Sequence, residues 1–200
     1  MPPSLKYEHS FWGKGYRYLA GLDEAGRGCL AGPVVAAAVV LTPEVGLKGV
    51  DDSKRLSPKE REQVFVQIQK QAIGIGIALV MPEEIDTINI LKASLEAMKR
   101  AVERLPVKPD YLLVDGPYGP DMSIPALCLK HGDRECLSIA AASIIAKVWR
   151  DQLMTTYHTL FPIYNFKKNK GYPTAEHKAA ILKHGLCYLH RHSFKLPRYD

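Results

Sequence analysis

Apolar runs separated by turn residues predict the first strands of a β-sheet. Two such runs, 18–22 and 34–41, are rich in valine and leucine and flank a turn that contains glycine and proline. Because this connection is short, the two strands should pair antiparallel. The second run has no polar alternation, which predicts that both of its faces are covered. A third strand is predicted over 73–81.

Capping residues and helical periodicity predict helices around these strands. Ser57, Pro58 and Glu60 form a helix start, with an N-cap, a first-turn proline and an acid three residues after the cap. This helix should end near Ala72. After Pro82, apolar residues recur at helical spacing and predict a second helical region with one stripe against the sheet. These residues are at positions 88, 91, 95, 98, 102 and 105.

The second half of the chain predicts two more strands and further helices. The strands are expected at 110–116, which ends in an acid and a glycine, and at 124–129. A long alanine-rich helix should begin at Ser138. A last helix should begin at a Thr174 cap and stop at Gly185.

These elements predict an α/β fold, a mixed sheet covered by helices. Residues 1–160 would form the body, and residues 161–200 a basic helical C-terminal extension packed on it as part of a single structural unit. The lead-in 1–16 and the basic segment 167–172 are expected to be irregular.

The C-terminal fifth of the chain carries its whole excess of positive charge. Residues 161–200 contain eight Lys or Arg against two acids, whereas the preceding 160 residues contain nineteen of each sign. A basic segment on a neutral body indicates a polyanionic partner, and a solvated basic face without a partner is the alternative.

The first residues of the chain and the spacing of its cysteines indicate the cellular compartment in which we expect the protein. The first residues lack the apolar core of a signal peptide, and no apolar run approaches membrane-spanning length. The four cysteines are scattered and form no CxxC pair. We therefore expect reduced thiols in a cytoplasmic protein without a membrane segment, and nothing in the sequence requires more than a monomer.

Four acidic residues are candidate metal ligands. Asp23 and Asp115 each follow an apolar strand and precede a small or glycine-containing turn, where α/β sheets bind ligands. Glu24 would need a bend to share the Asp23 pocket, because adjacent side chains of a straight strand face opposite sides. Asp133 precedes the long helix. Carboxylates without matching His or Cys favour Mg²⁺ or Mn²⁺, and two such ions would suit phosphodiester hydrolysis. Each acid alone has the alternative of a turn former or cap.

Other residues are candidates for nucleic-acid contact. The turn Gly26-Arg27-Gly28 offers main-chain amides and a fixed positive charge to a phosphate or sugar, although such a triplet alone is more often just a turn. Lys54 and Lys147 are candidate phosphate contacts, with ordinary surface lysines as the alternative. Tyr172 lies in the basic segment, an arrangement used to stack on a sugar or base.

Five stretches of the sequence together resemble bacterial ribonuclease HII, the type 2 ribonucleases H. In the family's order they are GLDEAGRGCLAGPVVAAAVVL at 21–41, DDSKRLS at 51–57, LLVDG at 112–116, SIAAASIIAKVWRD at 138–151 and KGYPTAEH at 170–177. They span almost the whole chain.

The resemblance implies both a fold and an activity. The fold would be RNase H-like, a five-stranded mixed sheet flanked by helices, with a helical C-terminal region that helps to clamp the duplex. The activity would be cleavage of the RNA strand of RNA–DNA hybrids and incision on the 5′ side of ribonucleotides embedded in duplex DNA. Mn²⁺ or Mg²⁺ would be the cofactor, and the products would carry 3′-hydroxyl and 5′-phosphate ends.

The resemblance also implies roles for the acids. The catalytic and metal-binding carboxylates would be Asp23, Glu24, Asp115 and Asp133. One departure concerns the last of these, because the family usually has Lys-Gly-Asp where this chain has His131-Gly132-Asp133. The acid is present, and the histidine makes the neighbouring charge sensitive to pH.

Substrate contacts follow from the same resemblance. The turn Gly26-Arg27-Gly28 would read the 2′-hydroxyl and hold the scissile phosphate. Tyr172 would pack on the sugar that follows the ribonucleotide, at an RNA-to-DNA junction. Lys54 and Lys147 lie in matching motifs and are further candidate substrate contacts.

Two other functions stay open from the sequence. One is a different metal nuclease on the same fold that acts on DNA alone, and an all-DNA duplex would separate it. The other is a non-catalytic module that binds hybrids. Four acids argue against the second, because a mere binder of polyanions would do better without them.

Overall fold

A five-stranded mixed sheet with strand order β3-β2-β1-β4-β5 forms the centre of the chain. The computed structural model describes residues 2–51, 53 and 55–195. Within them the strands are β1 (Leu19–Ala25), β2 (Val34–Val40), β3 (Gly74–Val80), β4 (Tyr111–Asp115) and β5 (Ala126–Leu129). β1 pairs antiparallel with β2 and parallel with β4, which confirms the predicted mixed sheet and the pairing of its first two strands.

Helices cover both faces of this sheet. In the described part of the chain they are α1 (Lys6–Trp12), α2 (Pro58–Gln71), α3 (Pro82–Ile88), α4 (Ile90–Glu103), α5 (Leu137–Leu160), α6 (Phe166–Asn169) and α7 (Ala175–His184). Two short 3-10 turns, Gly132–Arg134 and Pro162–Tyr164, precede α5 and α6. One face of the sheet packs against α3 and α4, and the other packs against α2 and α5. β2 is buried along its whole length between these layers, as its lack of polar alternation predicts.

The helix-capping predictions are confirmed. Ser57 caps α2, where its hydroxyl accepts a hydrogen bond from the Glu60 amide at 3.3 Å and the Glu60 carboxylate accepts one from the Ser57 amide at 2.8 Å. The Thr174 hydroxyl accepts a hydrogen bond from the His177 amide and caps α7, which ends before Gly185. Local sequence therefore sets both helix starts.

Two segments expected to be irregular contain helices. α1 lies within 1–16, where the Phe11 ring packs against Tyr111 with their centroids 4.2 Å apart. α6 lies partly within 167–172 and ends at Lys170, which has a left-handed backbone. Tertiary burial of aromatic side chains, which no short-range pattern reports, explains both differences.

The helical region after Pro82 is two helices, and the predicted stripe packs against the sheet except at Leu91. Asn89, with φ of 70°, separates α3 from α4, and its side chain accepts hydrogen bonds from the first amides of α4. Alanines such as Ala93 and Ala97 face the sheet, whereas Leu91 remains 36% exposed. Because α4 packs closely on the sheet, small residues occupy the interface and the larger Leu91 lies outside it.

β1 continues through the acidic pair without the expected bend. Glu24 pairs with Ala36 and Ala25 with Val35, so the ladder with β2 is unbroken to the end of the strand. The prediction that the strand ends before Asp23 is wrong. Pairing with β2 continues through residues 23–25, whereas pairing with β4 ends at Leu22, and polar side chains alone do not terminate the strand.

α5 is anchored over β1 at its first turn. The Glu8 carboxylate of α1 accepts hydrogen bonds from the Ser138 amide at 2.7 Å and from the Cys136 thiol at 3.1 Å. A negative charge at this position satisfies an amide that has no partner inside the helix and suits the positive end of the helix dipole. Glu8 is therefore the residue that fixes the start of the longest helix to the body.

The C-terminal segment packs on the turn that follows β1. Tyr164, Phe166 and Ile181 form a buried apolar cluster with Leu30 and Met154. The division into a body of 1–160 and an extension of 161–200 stays a prediction. Among the described residues, no helix is both long enough and apolar enough to cross a membrane.

Gly21 is a position where the fold leaves no room for a side chain. A Cβ atom at this position of β1 would overlap the main chain of Ser138 in α5. Gly21→Ala should lower the free energy of unfolding by about 1–3 kcal/mol, because the helix must move away from the sheet. Urea unfolding measures this change.

Gly46→Ala is the matched control for this substitution. The nearest atom to a Cβ at Gly46 is the side-chain oxygen of Gln71, 3.9 Å away. The free energy of unfolding of this variant should stay within about 0.5 kcal/mol of the unmodified protein. Equal stability of the two variants would contradict the close packing of α5 on β1.

Candidate active site

Asp23 and Glu24 leave β1 on opposite faces of the sheet. Asp23 is buried on the α5 side, where Ser143 hydrogen-bonds its carboxylate. Its Oδ1 also accepts a hydrogen bond from the Glu24 amide at 2.7 Å. The Glu24 side chain, 8% exposed, accepts a hydrogen bond from Arg27 at 3.1 Å and borders a cavity beside Met98 of α4. The two acids therefore approach one site across the end of the sheet.

Asp115 joins them because β4 runs parallel to β1. The carboxyl ends of parallel neighbours lie at the same edge of a sheet, and Asp115 is the last residue of β4. Its Oδ1 accepts a hydrogen bond from the Gly132 amide at 2.7 Å. This bond ties the strand end to the 3-10 turn that contains Asp133.

A cavity of about 290 Å³ lies over this edge of the sheet. The predicted site residues that line it are Asp23, Glu24, Gly26, Arg27, Gly28, Asp115, Lys147 and Tyr172. Asp133 is buried in the adjoining turn and does not line the cavity. Lys54 lies outside the described residues.

Burial and repulsion between neighbouring acids disfavour ionisation of Asp23 and Glu24. Burial is the largest cause that raises the pKa of Asp23 well above its usual range, and the charges of Glu24 and Asp115 raise it further. Hydrogen bonds from Ser143 and the Glu24 amide lower it only in part. Burial also raises the pKa of Glu24, against the opposing effect of Arg27. The site is thus a group of carboxylates with too little positive charge.

This chemistry fits a hard divalent cation. Three carboxylates border one cavity, and oxygen donors of this kind suit Mg²⁺ or Mn²⁺. Among the described residues, no group of three or more His, Cys, Asp or Glu side chains converges closely enough to hold an ion as it stands. A cation here would relieve the repulsion that raises the pKa of Asp23.

The glycine turn beside the acids is held by a buried arginine that sequence reasoning missed. Arg191, from the segment after α7, donates hydrogen bonds to the carbonyl oxygens of Gly26 at 2.8 Å, Arg27 at 2.9 Å and Gly32 at 2.8 Å. Burial lowers the pKa of Arg191 to about 10. The hydrogen bonds of this guanidinium to described residues go to main-chain carbonyl oxygens, so its charge serves to shape the turn.

A second buried arginine supports the same turn from α5. Arg150 donates hydrogen bonds to the carbonyl oxygens of Pro33 at 2.9 Å, Ala31 at 3.1 Å and Lys170 at 2.8 Å. Its side chain lies so close to Gly26 that a Cβ there would overlap it, and Gly26 has φ of 100°. Gly26 is therefore required both by conformation and by space.

Lys147 and Tyr172 form the far wall of the cavity. The Lys147 ammonium donates a hydrogen bond to Asp151 at 2.7 Å and lies 5.6 Å from the centroid of the Tyr172 ring. Tyr172 is partly exposed, and burial is the largest cause that raises the pKa of its hydroxyl. Its carbonyl oxygen is 2.9 Å from Nδ1 of His177. The basic segment thus presents an aromatic ring to the site.

Two serines complete the cavity and were not singled out as ligands from the sequence. Ser53 and Ser143 share a hydrogen bond of 2.9 Å, and both line the cavity. Ser143 lies one turn before Lys147 on α5, so the helix periodicity was the available signal. Ser53 comes from the loop before α2, and only tertiary structure brings it here.

The comparison with known proteins shows the family of the chain. The family model described as Ribonuclease HII matches residues 20–197 of the chain. The chain belongs to the ribonuclease HII family. A curated relative from Syntrophotalea carbinolica, also named Ribonuclease HII, is 53% identical over 96% of this chain and 91% of its own length. One from Thermotoga maritima is 53% identical over 91% of this chain and 75% of its own length.

A solved structure supports the ribonuclease HII fold. The ribonuclease H2 from Pyrococcus horikoshii superposes with a TM-score of 0.73 and 26% sequence identity, covering 90% of this chain and 94% of that chain. The predicted RNase H-like fold is confirmed. As a ribonuclease HII, the chain is an endoribonuclease that acts on RNA–DNA hybrids, and metal dependence is general for the family.

The raised pKa of Asp23 predicts opposite effects on stability and activity. Its pKa is higher in the folded than in the unfolded chain, so without metal the folded state becomes less stable as pH rises through that pKa. Asp23→Asn removes this loss. In the metal-free protein at neutral pH, we expect a higher free energy of unfolding than in the unmodified ribonuclease HII, and no cleavage when metal is added.

Asp86→Asn is a control for which we expect a change in the free energy of unfolding of the opposite sign. Burial raises the pKa of Asp86, but hydrogen bonds from Ser193 and the His192 amide outweigh it and leave the pKa lowered. The ionised Asp86 carboxylate stabilises the folded state at pH values above its pKa in the unfolded chain. The substitution should therefore lower the free energy of unfolding at neutral pH. Urea unfolding in chelator between pH 5 and pH 8 measures both variants. A less stable Asp23→Asn at pH 8 would contradict the electrostatic account.

Proposed function

We propose that the cleavage of the RNA strand takes place in the cavity at the ends of β1 and β4. The observation that carries this proposal is the meeting of Asp23, Glu24 and Asp115 beside a glycine turn whose carbonyl oxygens accept hydrogen bonds from Arg191. The chain would hydrolyse the phosphodiester on the 5′ side of a ribonucleotide, both in hybrids and in duplex DNA. The products would carry 3′-hydroxyl and 5′-phosphate ends.

The carboxylates are proposed to hold Mg²⁺ or Mn²⁺. Asp23, Glu24 and Asp115 would be ligands, and Asp133 would join them from the turn that Gly132 connects to Asp115. When bound, such ions supply an activated water and stabilise the leaving oxygen. Ser143 would keep Asp23 oriented by its hydrogen bond.

Recognition of the ribose is assigned to the glycine turn. RNA differs locally from DNA by its 2′-hydroxyl, so discrimination requires hydrogen-bonding groups fixed at that position. The backbone of Gly26-Arg27-Gly28 is suited to this task, because Arg191 and Arg150 hold the surrounding chain. Arg27 is already paired with Glu24, so it would bring positive charge to the scissile phosphate without leaving the acids.

The remaining candidate contacts flank this centre. Tyr172 would pack on the sugar that follows the ribonucleotide, and Lys147, which lies over the same ring, would contact a phosphate. Lys54 is proposed as a further phosphate contact. The Lys and Arg side chains after residue 160 would help to hold the duplex.

We also propose that the chain acts as a monomer in the cytoplasm. The four cysteines, Cys29, Cys128, Cys136 and Cys187, are free thiols. Free thiols of this kind are typical of reducing compartments.

One gel tests the assignment of the active site. The substrates are a DNA duplex with one ribonucleotide, an RNA–DNA hybrid and plain DNA, each with Mg²⁺, Mn²⁺ or chelator. We expect cut products only from the two substrates with RNA and only with metal. Asp115→Asn should bind these duplexes with unchanged affinity and leave them uncut, because the acids hold metal rather than the duplex.

Two results of this gel would oppose the proposal. Cleavage of plain DNA would indicate a nuclease that does not read the ribose. Cleavage by Asp115→Asn at the rate of the unmodified protein would remove the carboxylate cavity as the active site.

Tyr172→Ala should lower the cleavage rates on the two kinds of substrate by different factors. Because Tyr172 would contact the sugar after the ribonucleotide, its loss should lower incision at a single embedded ribonucleotide roughly tenfold, the size of one stacking contact. Cleavage within a long hybrid should fall less, since many registers are available. Steady-state rates on both substrates measure this, and equal losses on the two would count against a role at the junction.

A further inference from the structure

A second, smaller cavity adjoins the acidic cavity across the end of the sheet. It has a volume of about 120 Å³, and it shares Glu24, Arg27 and Asp115 with the larger cavity. Its other lining residues are Leu91, Ser94, Leu95, Met98, Pro117 and Tyr118. The proposed function gives no role to this group of residues.

The two cavities lie on opposite faces of the sheet. The larger one includes Ser143 and Lys147 of α5, whereas the smaller one is bordered by Leu95 and Met98 of α4. Glu24, paired with Arg27, stands between them. Because Glu24, Arg27 and Asp115 border both cavities, a nucleic-acid strand whose phosphate lies on these acids can extend from one cavity into the other.

We infer that the smaller cavity binds the sugar of the nucleotide on the 5′ side of the scissile phosphate. This inference rests on the proposed function, in which the ribonucleotide and the sugar after it lie on the α5 side with the glycine turn and Tyr172. The strand continues past the carboxylates in the 5′ direction on the α4 side, where Tyr118 borders the cavity.

The size and the wall of the cavity suit a sugar ring. Its volume of about 120 Å³ is below the ~300 Å³ at which pockets for whole small molecules begin, so it admits one ring rather than a complete nucleotide. Tyr118 is 57% exposed and offers an aromatic face. The Ser94 hydroxyl has no hydrogen-bond partner among the described residues, and it is the polar group of α4 at this wall.

This assignment explains why Leu91 of α4 is exposed. Leu91 breaks the pattern of residues that face the sheet, and with Leu95 it forms an apolar border of the cavity. Apolar walls with a few polar groups are typical of ligand sites. The carbon face of a sugar packs on such a wall while its phosphates remain toward Arg27.

The test compares Tyr118→Ala with a matched control, Tyr188→Ala. Both tyrosines are largely exposed, at 57% and 62%, and Tyr188 packs edge-on against Phe161, outside the residues that line either cavity. Neither substitution should change the thermal unfolding midpoint measurably, because little buried area is lost. Loss of activity is then separable from loss of fold.

The substrates differ only at the nucleotide 5′ of a single ribonucleotide in duplex DNA. This position carries a normal deoxynucleotide, a tetrahydrofuran abasic site that keeps the sugar, or a three-carbon spacer without a sugar. On each substrate, with Mg²⁺ or Mn²⁺ present, kcat/KM of the variant is divided by that of the unmodified protein. This ratio cancels the change that the spacer makes to the leaving group.

We expect Tyr118→Ala to lower kcat/KM about tenfold on the normal and abasic substrates and to leave it unchanged on the spacer substrate. Tyr188→Ala should leave kcat/KM unchanged on all three. An equal loss for Tyr118→Ala on the spacer substrate, or no loss on any substrate, overturns the inference. A loss on the normal substrate alone overturns the sugar assignment, because the contact would then be to the base.

Failure of this inference is distinguishable from failure of the proposed function. If the unmodified protein does not cut the normal substrate, the active-site assignment is wrong. If it cuts all substrates and Tyr118→Ala behaves like Tyr188→Ala, only the 5′ sugar site is wrong.

Discussion

Two buried guanidinium groups hold the chain in the arrangement on which its active site depends. Arg150 and Arg191 are completely buried, and their hydrogen bonds go to carbonyl oxygens of the turn after β1 and of Lys170. A buried charge is expensive unless it is fully hydrogen-bonded, and these bonds supply that compensation. The same bonds join three distant parts of the chain. The glycine turn, the long helix and the C-terminal segment therefore form one rigid frame.

The acids contrast with the arginines, since none of the described residues fully offsets the burial of Asp23 and Glu24. Arg27 pairs with Glu24, but burial and the neighbouring acids still raise the pKa of Asp23. Asp23 lies in the central strand of the sheet and is buried where it borders the cavity. Local instability at this point is the expected cost of a site that is proposed to bind a divalent cation.

Much of the fold and of the site was predictable because the signals were local. Ser57 and Glu60 cap α2 as their spacing predicts, and the uninterrupted apolar run of β2 is buried on both faces. The buried face of α4 was predicted except at Leu91, and the alanines that share this face with Met98 and Val102 were not singled out. The two arginines that hydrogen-bond the turn, Arg150 and Arg191, were not predicted. In a sequence they look like surface cations, because whether a charge is buried depends on carbonyl oxygens that are distant along the chain.

The sequence by itself determined the family, the order of the strands and helices, and the acids that meet in the cavity. Motifs and capping residues act over a few positions, and their chemistry is visible without coordinates. Only the tertiary structure decided that Asp23 and Glu24 use opposite faces of an unbent strand, which creates two cavities rather than one. Tyr118, Asp115 and Tyr172 are brought to that strand end by parallel pairing and by buried arginines, which are long-range interactions without a local pattern.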